Sequence, residues 1–498
     1  MNEPAITRRQ ALAGLGGGAL ALWLSACGGG ARPSASGSTL HSTWRDPAGS
    51  GILRVADGIP LIDRTELAPR AAPTAVLGTF AHVTDAHVLD AESPARVPFL
   101  ARLGSPFSST FRPHETLTAH VLAGAVRAID ELAPDAVIQG GDLIDNVQAN
   151  ELARALAVLH GGRVEPGSGA PGYQGVQRAG NPDSFYYRPD LDAPRHPGML
   201  ERATEPFRAR GITVARTYPV LGDHDLLVQG IVAPSALTRV VAVGDHAVWE
   251  LPAQLRTSVR AATSAASPDG IADPGPLNSL IEQLAAEAGV RVTADAARRE
   301  LAVAEVIARL RGVSGLAASG ALLDYGVDVG EHLRLVVLDL VRRDGGSGGI
   351  VHPGQSQWLA EQLATAGERW VLVFCHQPLT STTGGGAVLR VLDRHRRVLA
   401  VIWGHTHRNR IVPRHTAGGG YWLISTASLI DHPQQARALQ VVATPGGGVA
   451  LRTWMLDHVA DGPLGDISRQ LAYLDAQGGR PQGFAGGRLD QNVTLYRA

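Results

Sequence analysis

Five short apolar runs, each ending in residues able to bind a metal, constrain this chain more than anything else in it. Val76–Val83 leads into Thr84-Asp85-Ala86-His87, and Ala136–Gln139 into Gly140-Gly141-Asp142. Tyr218–Leu221 leads into Gly222-Asp223-His224-Asp225, Trp370–Cys375 into His376, and Val398–Trp403 into Gly404-His405-Thr406-His407. Runs of this length, rich in Val, Leu and Ile, suit strands buried on both faces. Between them, Glu115–Leu132 repeats apolar residues at helical spacing and stops before Pro134, and Gln355–Ala366 repeats them likewise. This alternation predicts α/β layers, in which ligands gather just beyond the carboxyl ends of strands. All five polar clusters fall there.

With 498 residues, 44% of them apolar, the chain is large enough for one elaborated α/β domain or two smaller ones. A formal net charge of −1 leaves no basic footprint, so no specific nucleic-acid binding is expected. Two stretches interrupt the pattern. Residues 161–210, rich in Gly, Pro, Tyr and Arg, read as a loop-rich excursion. Residues 228–330 are Ala-rich with helical periodicity around 279–311, and read as a largely helical insertion or cap. A third loop, Leu89 to His114, carries Phe99, Phe107, Phe111 and Arg112 beside the first cluster, a placement suited to shaping substrate access.

The first residues read as an address. Arg8-Arg9 precedes the apolar run Ala11 to Ala26, too short and Gly-rich to span a bilayer, which takes ~20 apolar residues. Residues 1–26 are therefore expected to be an export signal, similar to twin-arginine signals; Ala11 stands where those signals carry a large apolar residue, so ordinary secretion stays open. Leu24-Ser25-Ala26-Cys27 resembles a bacterial lipobox, which implies cleavage before Cys27, acylation of its thiol and anchoring to the outer face of the cytoplasmic membrane or within the periplasm. Residues 27–75 then form a tether, flexible to about Ser50, and an N-terminal extension. The catalytic domain is expected over 76–458 and a C-terminal extension over 459–498. Cys375, within an apolar run, reads as a buried core thiol.

Each cluster alone is weak evidence, since Asp-x-His is common in turns and Gly-Asp-x-x-Asp can simply start a helix. Together and in order they supply carboxylates and imidazoles without thiolates, a ligand set suited to Zn, Mn or Fe. The set Asp85-Ala86-His87, Gly141-Asp142-Leu143-Ile144-Asp145, Gly222-Asp223-His224-Asp225, His376 and Gly404-His405-Thr406-His407 strongly resembles the calcineurin-like metallophosphoesterase superfamily over about residues 76–456, the insertions excepted. The resemblance implies a four-layer β-sandwich flanked by helices and two metal ions per chain. Asp85, His87 and His407 would hold the first, Asp223, His376 and His405 the second, with Asp142 between them. A metal pair lowers the pKa of a water and stabilises in-line transfer, and His224, oriented by Asp225, would be the general acid.

One residue departs from that pattern. The superfamily carries Asn where this chain has Asp223. Asp removes an amide donor and adds a negative charge beside an anionic substrate, so the inner site becomes formally neutral where Asn would leave one net positive charge. The expectation is a trivalent ion at one position or a less charged substrate such as a diester. The activity implied is hydrolysis of phosphate mono- or diesters, on a small molecule or a phospholipid-type headgroup. The alternative class is a non-catalytic lipoprotein whose metals brace a binding surface.

Overall fold

The computed structural model describes residues 37–103, 110–251, 253–255, 257, 279, 282–284, 289–317, 320–478 and 484–498. The expected export signal over 1–26, the lipidation residue Cys27 and Phe107 lie outside the described residues. No described helix is long and apolar enough to cross a membrane.

Thirteen of the described strands make two mixed sheets. They are β1 (Ile62–Arg64), β2 (Ala75–Val83), β3 (Ala136–Gln139), β4 (Arg216–Pro219), β5 (Tyr325–Val329), β6 (Leu333–Leu338), β7 (Trp370–Cys375), β8 (Val398–Trp403), β9 (Arg410–Arg414), β10 (Tyr421–Ser425), β11 (Gln435–Ala443), β12 (Val449–Asp457) and β13 (Val493–Arg497). One sheet runs β1-β13-β12-β11-β2-β3-β4 and the other β5-β6-β7-β8-β10-β9. Within the first, β2, β3 and β4 are parallel; within the second, β6, β7, β8 and β10 are parallel. These parallel centres contain four of the five apolar runs expected to be strands; β4 begins two residues ahead of the fifth, Tyr218–Leu221, and ends within it at Pro219. The five polar clusters therefore leave the carboxyl ends of β2, β3, β4, β7 and β8.

Side-chain alternation along β7 shows how the layers are held. Leu372 and Phe374 point between the sheets, into one core with Phe80 of β2 and Leu439 of β11. Val371, Val373 and Cys375 point outward to the helices Gln355–Ala364 and Gly385–Asp393, against Leu359, Leu363, Val388 and Leu392. A period of two with both faces apolar is what a strand covered on both sides requires. Each such buried Val, Leu or Phe contributes roughly 1.5–3 kcal/mol of transfer free energy. The helices Thr118–Leu132 and Ala149–His160 add Val121, Leu122, Leu152 and Val158 to the first core, completing the helix–sheet–sheet–helix stack. Cys375 is buried as expected, and burial pushes its thiol up to about 12, which leaves it no nucleophilic role at neutral pH.

The ends of the chain differ from their sequence reading. Residues from 37 onward, expected to belong to a flexible tether, are packed: Thr39 bonds the Met455 carbonyl through both its N–H and its hydroxyl, and Ser42–Arg45 pairs with Arg54–Asp57. The stretch 459–498, expected as an extension, places β13 inside the first sheet, between β12 and β1. The helical periodicity expected to start near 279 resolves, over 290–314, into the two-residue strand Val290–Arg291, a turn at Ala296–Arg298 and a helix only from Val303 to Ser314. β-Branched Val290, Val292 and Thr293 favour extended chain, and Asp295 caps the turn through the Ala297 N–H. That helix packs Val306, Ile307 and Leu310 into the main core rather than into a cap.

Arg437 of β11 pins these pieces together. Its fully buried guanidinium donates to Thr426, Thr453, Asn409 and the carbonyls of Asp490 and Gln491, and burial lowers its pKa to about 9. Arg437→Met leaves those acceptors unpaired, so the fold should lose about 3 kcal/mol or more. Urea denaturation measures the loss, and hydrogen exchange should show loosening concentrated in 484–492.

Candidate metal centre

Glycine and short polar loops follow the five strands, and they bend the chain sharply enough to turn its side chains back over the sheet ends. Asp85, His87, Asp142, His405 and His407 all adopt left-handed backbone, with φ between 42° and 60°. Only eight non-glycine residues among those described do so. Left-handed backbone costs a non-glycine residue free energy, on the order of 1–3 kcal/mol where it is strained, and such outliers cluster where a site is over-determined by its surroundings. Gly141 is held to glycine on two counts: its φ is 94°, and a Cβ would lie 2.5 Å from His376 Nδ1.

These bends bring the seven expected ligands together in two groups. Asp85, His87 and His407 form one, and Asp142, Asp223, His376 and His405 the other, with ligand atoms in each group within 4.8 Å of one another. Asp142 lies between the groups: its Oδ2 is 3.0 Å from His376 Nε2 and 3.7 Å from His87 Nε2. His407 Nε2 is 3.2 Å from Asp85 Oδ1 and 3.3 Å from His87 Nε2. Asp223 Oδ1 is 3.3 Å from His376 Nε2 and 3.2 Å from His405 Nδ1.

Each of three imidazoles is locked from behind. His376 Nδ1 donates to the Gly140 carbonyl at 2.9 Å, His87 Nδ1 to Asp145 Oδ1 at 3.0 Å, and His407 Nδ1 to Asp431 Oδ2 at 2.5 Å. All three therefore turn Nε2 to the centre, the nitrogen each would offer to a metal. Asp431 is itself held by the Arg112 guanidinium at 2.6 and 3.1 Å.

The residues fit a metal pair. His376 Nε2 is buried with no hydrogen-bond partner, although two carboxylates stand within 3.3 Å of it. Three carboxylates and four imidazoles with no thiolate match borderline and hard divalent or trivalent ions. Charge says the same. Burial resists ionisation of Asp85 and Asp223, yet His407 and His376 around the first, and His405 and His376 around the second, hold both carboxyls below the usual range. Burial also resists protonation of His376 and His407. The Asp142 charge nevertheless keeps His376 well above its ordinary value, and Asp85 with Asp431 lifts His407 to about 9. Protons on these rings stand in for the cations the carboxylates call for.

His224 and Asp225 do not form the pair expected from the sequence. The Asp225 carboxylate accepts the N–H groups of Gly222 (2.8 Å), Leu143 (2.9 Å) and Ile144 (3.2 Å), tying the third cluster to the second. So committed, it clamps backbone, and burial with the nearby Asp142 charge pushes its carboxyl up to about 7. His224 Nδ1 instead donates to the Asp145 carbonyl at 2.7 Å, which leaves Nε2 as the ring's outward nitrogen. The His224 N–H also donates to Asp142 Oδ1 at 2.9 Å.

Sequence reasoning passed over Asp145, Asp431, Arg112 and Gln377 as parts of the site. Asp145 was visible as the last residue of Gly-Asp-x-x-Asp, but Asp431 and Gln377 carry no motif. Gln377 Nε2 donates to Asp223 Oδ1 at 3.1 Å.

Residues 312–409 match the family model described as calcineurin-like phosphoesterase. A dimetal phosphatase from Danio rerio (LOC 393393) is similar in structure at 14% identity, over 78% of this chain and 98% of that one, with a TM-score of 0.39. The structure of PhoD is similar at 11% identity, over 86% and 81% of the two chains, with a TM-score of 0.30. Both likenesses are remote. No curated protein sequence matches the chain.

Two outcomes follow. Asp431→Asn weakens the acceptor that fixes His407, and metal affinity at that position should fall about 10–100-fold, measured by competition with a chromogenic chelator. Metal must displace the His407 proton, so apparent affinity should rise with pH until about 9 and then level off. The sign for the metal-free fold is opposite: stability from the protonated ring is complete below its ordinary 6.5 and is lost as pH rises through about 9. Calorimetric titrations at several pH values, in buffers of different ionisation enthalpy, check the proton count.

Proposed function

We propose, on the premise that the chain is a member of the calcineurin-like phosphoesterase superfamily, that it is a metal-dependent hydrolase of phosphate esters with a preference for diesters, anchored by lipid at the outer face of the bacterial cytoplasmic membrane. The observation that carries the catalytic part is the convergence of seven donor side chains on two adjacent positions around Asp142. Asp85, His87 and His407 would hold one ion and Asp223, His376 and His405 the other. When bound, such a pair supplies Lewis acidity toward phosphoryl oxygens and an activated water.

The chain's own residues set the direction of attack. Exposure of the side chains rises from 0% at His376 and 3% at Asp142 to 13% at His405 and His407 and 21% at His224. Substrate therefore enters over His224, His405 and His407. His224 Nε2 faces that side, with its other nitrogen tied to Asp145, and burial notwithstanding, Asp142, Asp145 and Asp223 raise its pKa. A protonated ring there can give its proton to the leaving alkoxide. Gly230, at φ 68°, lets the ring sit where it does: a Cβ would fall 2.4 Å from His224 Nε2.

Asp223 supports the diester reading. Its Oδ1 is engaged by Gln377 and faces His376 and His405, while its Oδ2 is turned to the His224 side, 2.7 Å from where a Gly230 Cβ would stand. A carboxylate oxygen facing substrate penalises a dianionic monoester more than a monoanionic diester. The membrane reading is supported by Leu24-Ser25-Ala26-Cys27 alone.

With defined metal, the mature protein should hydrolyse bis(4-nitrophenyl) phosphate faster than 4-nitrophenyl phosphate. Asp223→Asn should move that ratio about tenfold toward the monoester, a change of one pKa unit's worth of interaction. A ratio unmoved in a variant that still binds two metals would remove the charge argument. His224→Ala should lower kcat on the order of 10²–10⁴-fold with metal retained. A protein that binds two metals and cleaves neither ester is a binding lipoprotein. Radiolabelled palmitate appearing in the wild type but not in Cys27→Ser tests the anchor.

A further inference from the structure

The catalytic reading leaves unassigned a part of the site's mouth that comes from the far end of the chain. Phe484, near the start of the segment that precedes β13, sets its ring edge-on to His407, with centroids 5.9 Å apart. The ring is half-buried, and Phe484 belongs to none of the apolar clusters formed by the described residues. His407 lies on the open side of the centre, so the ring stands at the rim where substrate enters.

The segment that carries it is fastened. Asn409, buried and two residues beyond His407, donates its N–H to the Phe484 carbonyl at 2.8 Å and its side-chain amide to Ala485 at 3.2 Å. Gln491 donates to the same Ala485 carbonyl at 2.9 Å, and Asp490 accepts the Ile411 N–H at 2.8 Å. Arg437 holds the Asp490 and Gln491 carbonyls from the core. A phenyl ring held this firmly outside the core, at the edge of a polar centre, and only partly buried offers its exposed part to a ligand.

We propose that Phe484 is a specificity-determining residue that packs against the organic group of the ester, favouring one with a flat aromatic face such as an aryl group or a nucleobase. This rests on the phosphoesterase reading above. The reacting phosphoryl group sits over the metal-binding residues, and the group attached to it projects past His407 toward the ring. An aromatic pair adds to affinity beyond simple burial, and a ring already fixed loses little freedom on contact.

The test uses the full mature chain loaded with manganese, with phenylphosphonate and methylphosphonate as non-hydrolysable probes. Dissociation constants come from calorimetry, and metal content is measured in every variant. The wild type should bind phenylphosphonate about tenfold tighter than methylphosphonate, a typical worth for an added aromatic contact. Phe484→Ala should bring that ratio to within about twofold with both metals retained, and Phe484→Trp should restore it. A preference that persists in Phe484→Ala overturns the assignment, as does a wild type that binds both probes equally. Loss of metal in Phe484→Ala makes the ring a prop for His407 and also overturns it. Binding of both probes without preference leaves the phosphoesterase reading standing; binding of neither removes both.

Discussion

Buried carboxylates that face one another set the terms for this structure. Asp85, Asp142 and Asp223 lie at the ends of strands from the first sheet with almost no exposure, and their charges must be answered from within a few ångströms. The answer comes from the second sheet, whose strands β7 and β8 deliver His376, His405 and His407. Neither sheet can make the centre alone. Sandwich packing is thus a condition for the centre, because it alone fixes the separation between the first sheet's carboxylates and His87 and the second sheet's His376, His405 and His407. The left-handed backbone at five of the ligands is the local cost of turning both sets inward.

That division explains what could be read from the chain. The parallel strands β2, β3, β4, β7 and β8 are continuous apolar runs because both faces are covered, and a run of that kind is legible in one dimension. The ligands are legible for the same reason, since each follows its strand directly. Strand β13 is not. Val493–Arg497 lies after a long helix, and its place between β12 and β1 depends on partners about 40 and 430 positions away. The packed stretch from residue 37 was misread on composition, because Gly and Ser density conceals Thr39 and Trp44, whose contacts lie at 455 and 469.

The supporting groups show a sharper limit. Asp431 is as necessary to the orientation of His407 as any neighbour, yet it is a single carboxylate in a loop after β10, and Arg112 reaches it from a loop more than three hundred residues earlier. Hydrogen bonds of this sort join points that sequence spacing does not relate. Asp225 fails in the opposite sense. Its neighbour His224 made an orienting role plausible, but three backbone N–H groups claim the carboxylate first, because unpaired N–H groups at the joined loops would cost more than a ring left to the Asp145 carbonyl.

A further consequence concerns where variation in such a site can act. The ligands are fixed by strand ends, so changing them changes the core; the rim is built from segments that no ligand requires. Arg112 arrives from the loop after the first cluster, Gly230 from the turn after the third, Gln377 from the residue beyond His376, and Phe484 from the returning C-terminal segment. Arg112 meets Asp431 behind His407, and the other three lie against His224, Asp223 or His407 from outside. Asp223 is the exception, a change within the ligand set itself, and the structure answers it locally: the Gln377 amide meets one oxygen and turns the other toward His224. In the function proposed above, a charge at the centre and an aromatic ring at the rim would act on different parts of the ester, one on the phosphoryl group and one on what it carries. On the proposed reading, selectivity would therefore be set at two separable places, and the two would operate with the same pair of metals.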